Sequence, residues 1–285
     1  MGKPMVGGTD EAVLRGLSEA VSLLKSKLPL ARLKVRVLYV IHSDLGKRVS
    51  HVRPCFECHV HGNEWPCSCL EIVLVSNFNG KRDPKLSLMH EWGHAYLCDK
   101  ADPLFALTVP CEGYEESLEQ LMLNISSHSI IELSCDTIVD YVVSKRIDVY
   151  RKHVMNSIKG YMKDLLTIID TGSKPSEMDP VICLQVASSY IIAKALEAND
   201  LISDIKSNVV MRFKSFNCDI RLSILDDIVR TLREGDYLKA YKTLLNTFLT
   251  KYFDIKTEFI KVKGKDSLTG QEMCYRCLKL RRTPL

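Results

Sequence analysis

Asp83-Pro84-Lys85-Leu86-Ser87-Leu88-Met89-His90-Glu91-Trp92-Gly93-His94 is the stretch on which the reading of this chain turns. Aspartate followed by proline is a helix start: an acceptor at the N-cap, then a residue whose missing N–H costs nothing in the first turn. The segment is expected to run as a helix to about Cys98. Within it, His90-Glu91-Trp92-Gly93-His94 is an H-E-x-x-H run. Residues four apart on a helix share a face, so His90 and His94 can hold one metal ion together. Glu91 then lies beside that ion, where it can take a proton from a water. Gly93 is unusual in a helix interior, where glycine costs about 1 kcal/mol against alanine. Close approach of another backbone is one reason to tolerate it.

Upstream, residues 10–28 carry apolar side chains at helical spacing (Val13, Leu14, Leu17, Ala20, Val21, Leu24). Residues 33–41 are β-branched, lie between Pro29 and the turn-like Ser43-Asp44-Leu45-Gly46, and read as a strand. Residues 49–52 are a second strand candidate. A cysteine- and histidine-rich insertion follows at 54–69, then a strand at 71–76 and a turn at 77–81. Downstream, Asp102-Pro103 and Pro110 mark a loop. Residues 115–126 read as a helix, and another begins at Ser127. Beyond Lys145 the pattern is helix after helix to about Phe253, punctuated by Pro175, Pro180 and Gly235-Asp236. The last thirty or so residues are mixed and basic. The fold class expected is α+β: a small mixed sheet with the metal helix and a second, acid-bearing helix in residues 1–148, then an all-helical half in residues 149–285.

A catalytic zinc site takes three protein ligands and leaves a fourth position for water. The leading candidate for the third ligand is Glu132, in Glu132-Leu133-Ser134-Cys135-Asp136. Glu132 and Asp136 are four apart on an expected helix and face the same way. Asp136 is suited to accept a hydrogen bond from the outward ring nitrogen of a metal-bound histidine, which fixes its tautomer. Ile130, Ile131, Leu133, Ile138 and Val139 surround the pair, so the helix is expected to be buried. His128 is an alternative third ligand, one turn before Glu132. Asp99 and Asp140 are further acidic candidates.

H-E-x-x-H on one helix, then E-x-x-x-D on a second a few dozen residues on, resembles the gluzincin metallopeptidases. The order of helix, short sheet, metal helix and glutamate helix resembles their compact form, the minigluzincins, over roughly residues 10–148. The resemblance implies His90, His94 and Glu132 as zinc ligands, Glu91 as general base and Asp136 as the partner behind the ligands. It also implies a peptide or protein substrate, with the strand at 71–76 as an edge strand pairing with the substrate backbone. Such enzymes use a Tyr or His to stabilise the oxyanion; Tyr141, Tyr150 and His153 are available, and no motif selects among them.

The chain has 285 residues, enough for a sizeable core, with 46% hydrophobic and 26% charged residues. A formal net charge of +4 is too mild to argue for nucleic acid. No unbroken apolar stretch reaches the length of a membrane span, and the first ten residues lack the layout of a secretory signal. The expected location is the cytoplasm. There, the 11 cysteines are expected as free thiols or metal thiolates rather than a disulfide framework. Cys55-x-x-Cys58-His59-x-His61 with Cys67-x-Cys69 is a dense set of soft ligands for a second, structural zinc, and Cys274-x-x-Cys277 is a further pair that could join it. Two readings compete with the peptidase: a degenerate zincin fold with a structural or regulatory metal, and a zinc-stapled adaptor in which the cysteines matter more than the histidines.

Overall fold

The computed structural model describes residues 9–42, 50–60, 67–77, 83–106, 125–170, 180–210, 221–266 and 268–282. The protein is a mixed α+β chain, mainly helical, with two small sheets. The described residues fall into two compact units. One lies within Met1–Leu107 plus Val262–Tyr275, the other within Thr108–Lys261 plus Arg276–Leu285. The acid-bearing helix is grouped with the helices that follow it. The expected helix at 115–126 lies outside the described residues up to 124.

The first unit is built on helix α1 (Thr9–Lys27), strands β1 (Lys34–His42), β2 (His51–Pro54) and β3 (Cys69–Asn77), short helix α2 (Phe56–Val60) and helix α3 (Pro84–Lys100). The sheet order is β1-β3-β2, with β1 parallel and β2 antiparallel to β3. Residues 69–74 are buried without interruption, as expected of a central strand covered on both faces. This corrects the edge-strand expectation for 71–76. Leu70 to Val73 of β3 have partners on both sides, Pro54 to His51 on β2 and Val35 to Leu38 on β1. Further along, the N–H of Val75 donates to Ser50 Oγ at 3.2 Å. The backbone most needed for docking an extended peptide is already engaged.

α3 starts as its sequence dictates. Asp83 is the N-cap and accepts from the N–H of Lys85 at 2.8 Å, with proline in the first turn. The helix is apolar around much of its circumference, burying Leu88, Met89, Trp92, Ala95, Tyr96, Leu97 and Cys98. It packs against α1, β2 and β3, which is what an apolar helix without a polar face must do. Two polar contacts fix its position. Trp92 Nε1 donates to the carbonyl of Leu28 at 3.0 Å, at the end of α1. Asp99, whose side chain is fully buried, accepts from the N–H groups of Ala31, Arg32 and Leu33 at 2.9, 2.7 and 3.0 Å, ordering the turn into β1.

The second unit contains α4 (Ile125–Ser144), α5 (Asp148–Asp170), α6 (Pro180–Ala195), α7 (Asn199–Asp204) running into a π-helical turn (Ile205–Val210), α8 (Leu222–Glu234) and α9 (Tyr237–Phe253). α4 packs on α5, α6 and α9; α8 packs on α6 and α9. Thr137 Oγ1 on α4 lies 2.7 Å from Ser188 Oγ on α6, a polar tie between two helices that are otherwise apolar at their contact. The basic C-terminal stretch, which carried no clear periodicity, forms a hairpin of β4 (Ile255–Lys265) and β5 (Glu272–Arg282). Asn246 of α9 holds its start: Asn246 Oδ1 accepts from the N–H and hydroxyl of Thr257 at 2.7 and 2.6 Å. Among the described residues no helix is long and apolar enough to cross a membrane.

Candidate metal centre

His90 and His94 lie on one face of α3, as their spacing requires. Their Nε2 atoms are 3.2 Å apart, and the rings meet edge to face. Nitrogens bound to one tetrahedral zinc at about 2.0–2.1 Å stand roughly 3.3 Å from each other. The pair is thus spaced as two ligands of a single ion. The other nitrogen of His94 is already assigned: Nδ1 lies 2.6 Å from the carbonyl oxygen of Phe105. That oxygen can only accept, so Nδ1 carries the proton and the Nε2 lone pair of neutral His94 faces His90.

The turn that supplies this carbonyl is also encoded locally. Asp102 caps the 3₁₀ turn Pro103–Phe105 by accepting from the N–H of Leu104 at 3.1 Å, and Pro103 presets its first residue. The turn packs back on α3 and brings the Phe105 carbonyl to the imidazole. The Nδ1 side of His94 is thus held by a main-chain oxygen of the turn that Asp102-Pro103 opens.

Glu91 is 7% exposed, on the residue next to His90. His90 and His94 are half-buried. The motif therefore sits at the margin of the core, shielded but reachable. Two imidazole nitrogens at this spacing are borderline-soft ligands of the kind zinc takes.

The remaining sequence candidates are placed as follows. Glu132 is on α4 and exposed; Asp136, one turn on, is half-buried. The neighbours Ile130, Ile131, Ile138 and Val139 are buried, so α4 is a core helix with Glu132 on its exposed side. His128 is in the first turn of α4. Asp140 accepts from the Tyr150 hydroxyl at 2.5 Å, and Asp99 is committed to the 31–33 turn, so both acids have structural work in their own units. Tyr141 and Tyr150 are buried, whereas His153 is exposed. Asp99 titrates below the ordinary carboxylate range: burial pushes its pKa up, but the three N–H donors and the Lys100 ammonium outweigh that. The Cys98 thiol is pushed far upward by burial and by the carboxylates of Asp102 and Asp99, which makes it an inert core residue.

The cysteine expectations divide. Cys55, Cys58, Cys67 and Cys69 do gather, as one buried cluster, paired Cys55–Cys69 and Cys58–Cys67 rather than as free thiols. Cys274 and Cys277 do not act as a chelating pair. Both are on β5, where residues three apart point to opposite faces. Cys274 is an exposed free thiol, and Cys277 is buried and disulfide-bonded. His61 lies outside the described residues. Compared with known proteins, the chain matches no family model, no curated protein and no solved structure.

Proposed function

We propose that this protein is a zinc-dependent metallopeptidase of gluzincin type. One observation carries the reading: the Nε2 atoms of His90 and His94 converge at 3.2 Å, with His94 held in the metal-binding tautomer by the Phe105 carbonyl. His90 and His94 would hold the zinc, and the gluzincin resemblance supplies Glu132 as the third ligand and Asp136 as the partner behind the ligands. Bound zinc supplies the charge that polarises a water and the scissile carbonyl. Glu91 accepts a proton from the attacking water at its carboxylate and returns it to the leaving amide nitrogen.

A second assignment of the third ligand is favoured by exposure. Glu132 is exposed and Asp136 is half-buried, and a carboxylate drawn out of water has the greater need of a cation. In this assignment Asp136 is the ligand and Glu132 the outer partner. The two are separated by zinc affinity of Glu132→Ala and Asp136→Ala: the ligand's removal abolishes stoichiometric zinc, whereas loss of an outer partner weakens binding about 10–100-fold.

The test of the function uses a peptide library, with cleavage read by mass spectrometry. Glu91→Gln is expected to keep zinc and lose about 10²–10⁴-fold in cleavage rate. His94→Ala is expected to lose the zinc bound by the pair and all cleavage. Full cleavage by Glu91→Gln removes the mechanism. Zinc bound through His94 without cleavage by the unaltered protein leaves the regulatory-metal reading in its place.

A further inference from the structure

We propose that Cys55, Cys58, Cys67 and Cys69, when reduced, hold one Zn²⁺ as a tetrathiolate site stapling β2 and α2 to the start of β3. This site is separate from the histidine pair and does not depend on the peptidase reading.

Four observations support it. First, the four sulfurs come from two short stretches, Cys55-x-x-Cys58 and Cys67-x-Cys69, and converge in one cluster in which no member is more than 2% exposed. A single crosslink would tie the same two stretches, whereas a tetrahedral ion needs all four sulfurs at one point. Second, the facing Cα atoms stand 5.4 Å (Cys55 to Cys69) and 6.4 Å (Cys58 to Cys67) apart. Sulfurs around a zinc at about 2.3 Å are roughly 3.8 Å from each other, a separation that side-chain rotation reaches from these Cα positions.

Third, the backbone is arranged for thiolates. The N–H of Cys58 donates to the Cys55 carbonyl at 2.8 Å, closing the C-x-x-C turn, and the N–H of Cys55 donates to the Cys69 carbonyl at 3.0 Å. The N–H of Cys69 points at Cys67 Sγ at 3.4 Å, a donor that stabilises sulfur-centred negative charge. Fourth, the carboxylates nearest the cluster are neutralised by their own partners. The Glu57 and Glu71 carboxylates lie within 4.8 Å of Cys55 Sγ, and each is paired with an arginine, Arg36 and Arg53 respectively. α2, only 5 residues long, is too short to hold itself together without such a staple.

The paired form is the zinc-free, oxidised state of the same cluster. Two molecules of hydrogen peroxide take four electrons from the four thiolates and four protons from solvent, giving four waters. Two S–S bonds form and Zn²⁺ leaves.

The test is zinc content by elemental analysis of the full chain, purified and kept under reductant. A His90→Ala/His94→Ala variant is expected to retain one zinc per chain, and to lose it when Cys58→Ser and Cys67→Ser are added. Cobalt loaded into the His90→Ala/His94→Ala variant is expected to show an intense sulfur-to-metal charge-transfer band. Because the cysteine variants can fail to fold, the unaltered chain is also titrated with a mercurial reagent while released zinc is followed with a metal-sensitive dye. One zinc set free as four thiols react, and expelled equally by two equivalents of peroxide, is the expected result. A reduced His90→Ala/His94→Ala chain without zinc, a cobalt spectrum lacking the thiolate band, or thiol titration that releases no metal overturns the proposal.

Discussion

At the scale of single residues, His94 and Asp99 show two ways the core uses a polar side chain near one helix end. His94 gives one nitrogen to the Phe105 carbonyl and turns the other toward His90. Asp99 spends its carboxylate on three backbone N–H groups. Asp99→Ala leaves those donors unpaired in a buried turn, and is expected to cost roughly 2–3 kcal/mol, read as a lower denaturant midpoint with an unchanged slope. Its pKa is lowered in the folded protein. The stability it contributes is therefore fully present above the unfolded value of about 3.9 and is lost as pH falls through the lower folded value. In the Ala variant the part of acid destabilisation arising from this group disappears; an unchanged acid profile would show that Asp99 is not the group responsible. The histidine pair was legible in the sequence because i and i+4 on a helix must coincide. The Phe105 carbonyl was not, because a main-chain acceptor has no residue type.

At the scale of elements, local chemistry set the boundaries and burial set the roles. The Asp83-Pro84 start of α3 and the Gly235-Asp236 break between α8 and α9 appear where the sequence places them. Gly235 adopts φ of 86°, with its N–H on the Leu232 carbonyl at 3.1 Å, a left-handed helix end. Gly235→Ala is expected to cost about 1 kcal/mol by thermal or chemical unfolding. A neutral effect would show that the turn relaxes to another conformation. Two elements were read otherwise. The strand at 71–76 was expected at an edge and is central, since strand order depends on partners distant in sequence. The C-terminal hairpin was missed because its half-buried strands mix many charged residues with apolar ones around glycines, a pattern weaker than the helices before it.

At the scale of the whole molecule, the grouping of elements into units departs from the chain's linear order. The apolar residues of α4 pack on α5, α6 and α9. Residues 262–275 return from the far end of the chain to the unit that holds α1, α3 and the three-stranded sheet. A ligand that binds the folded chain and not the unfolded one raises its stability by mass action. Adding zinc to chelator-treated, reduced protein is expected to raise the melting temperature, by about 2.7 kcal/mol of stability at a hundredfold excess over the dissociation constant. A His90→Ala/His94→Ala variant loses the share due to the histidine pair. An increment that this variant retains in full shows that the pair does not bind the metal.

By itself the sequence determined the helix carrying His90, Glu91 and His94, the caps and glycine that bound several helices, and the α+β class. These follow from short-range rules: hydrogen bonds four residues apart, φ preferences of proline and glycine, and the periodicity of apolar side chains. Only the tertiary structure decided that β3 lies between β1 and β2, that a carbonyl from a following turn orients His94, and that four cysteines share one buried cluster. Those outcomes depend on contacts between residues far apart in the chain, whose energy comes from burying both partners together and is carried by neither segment alone.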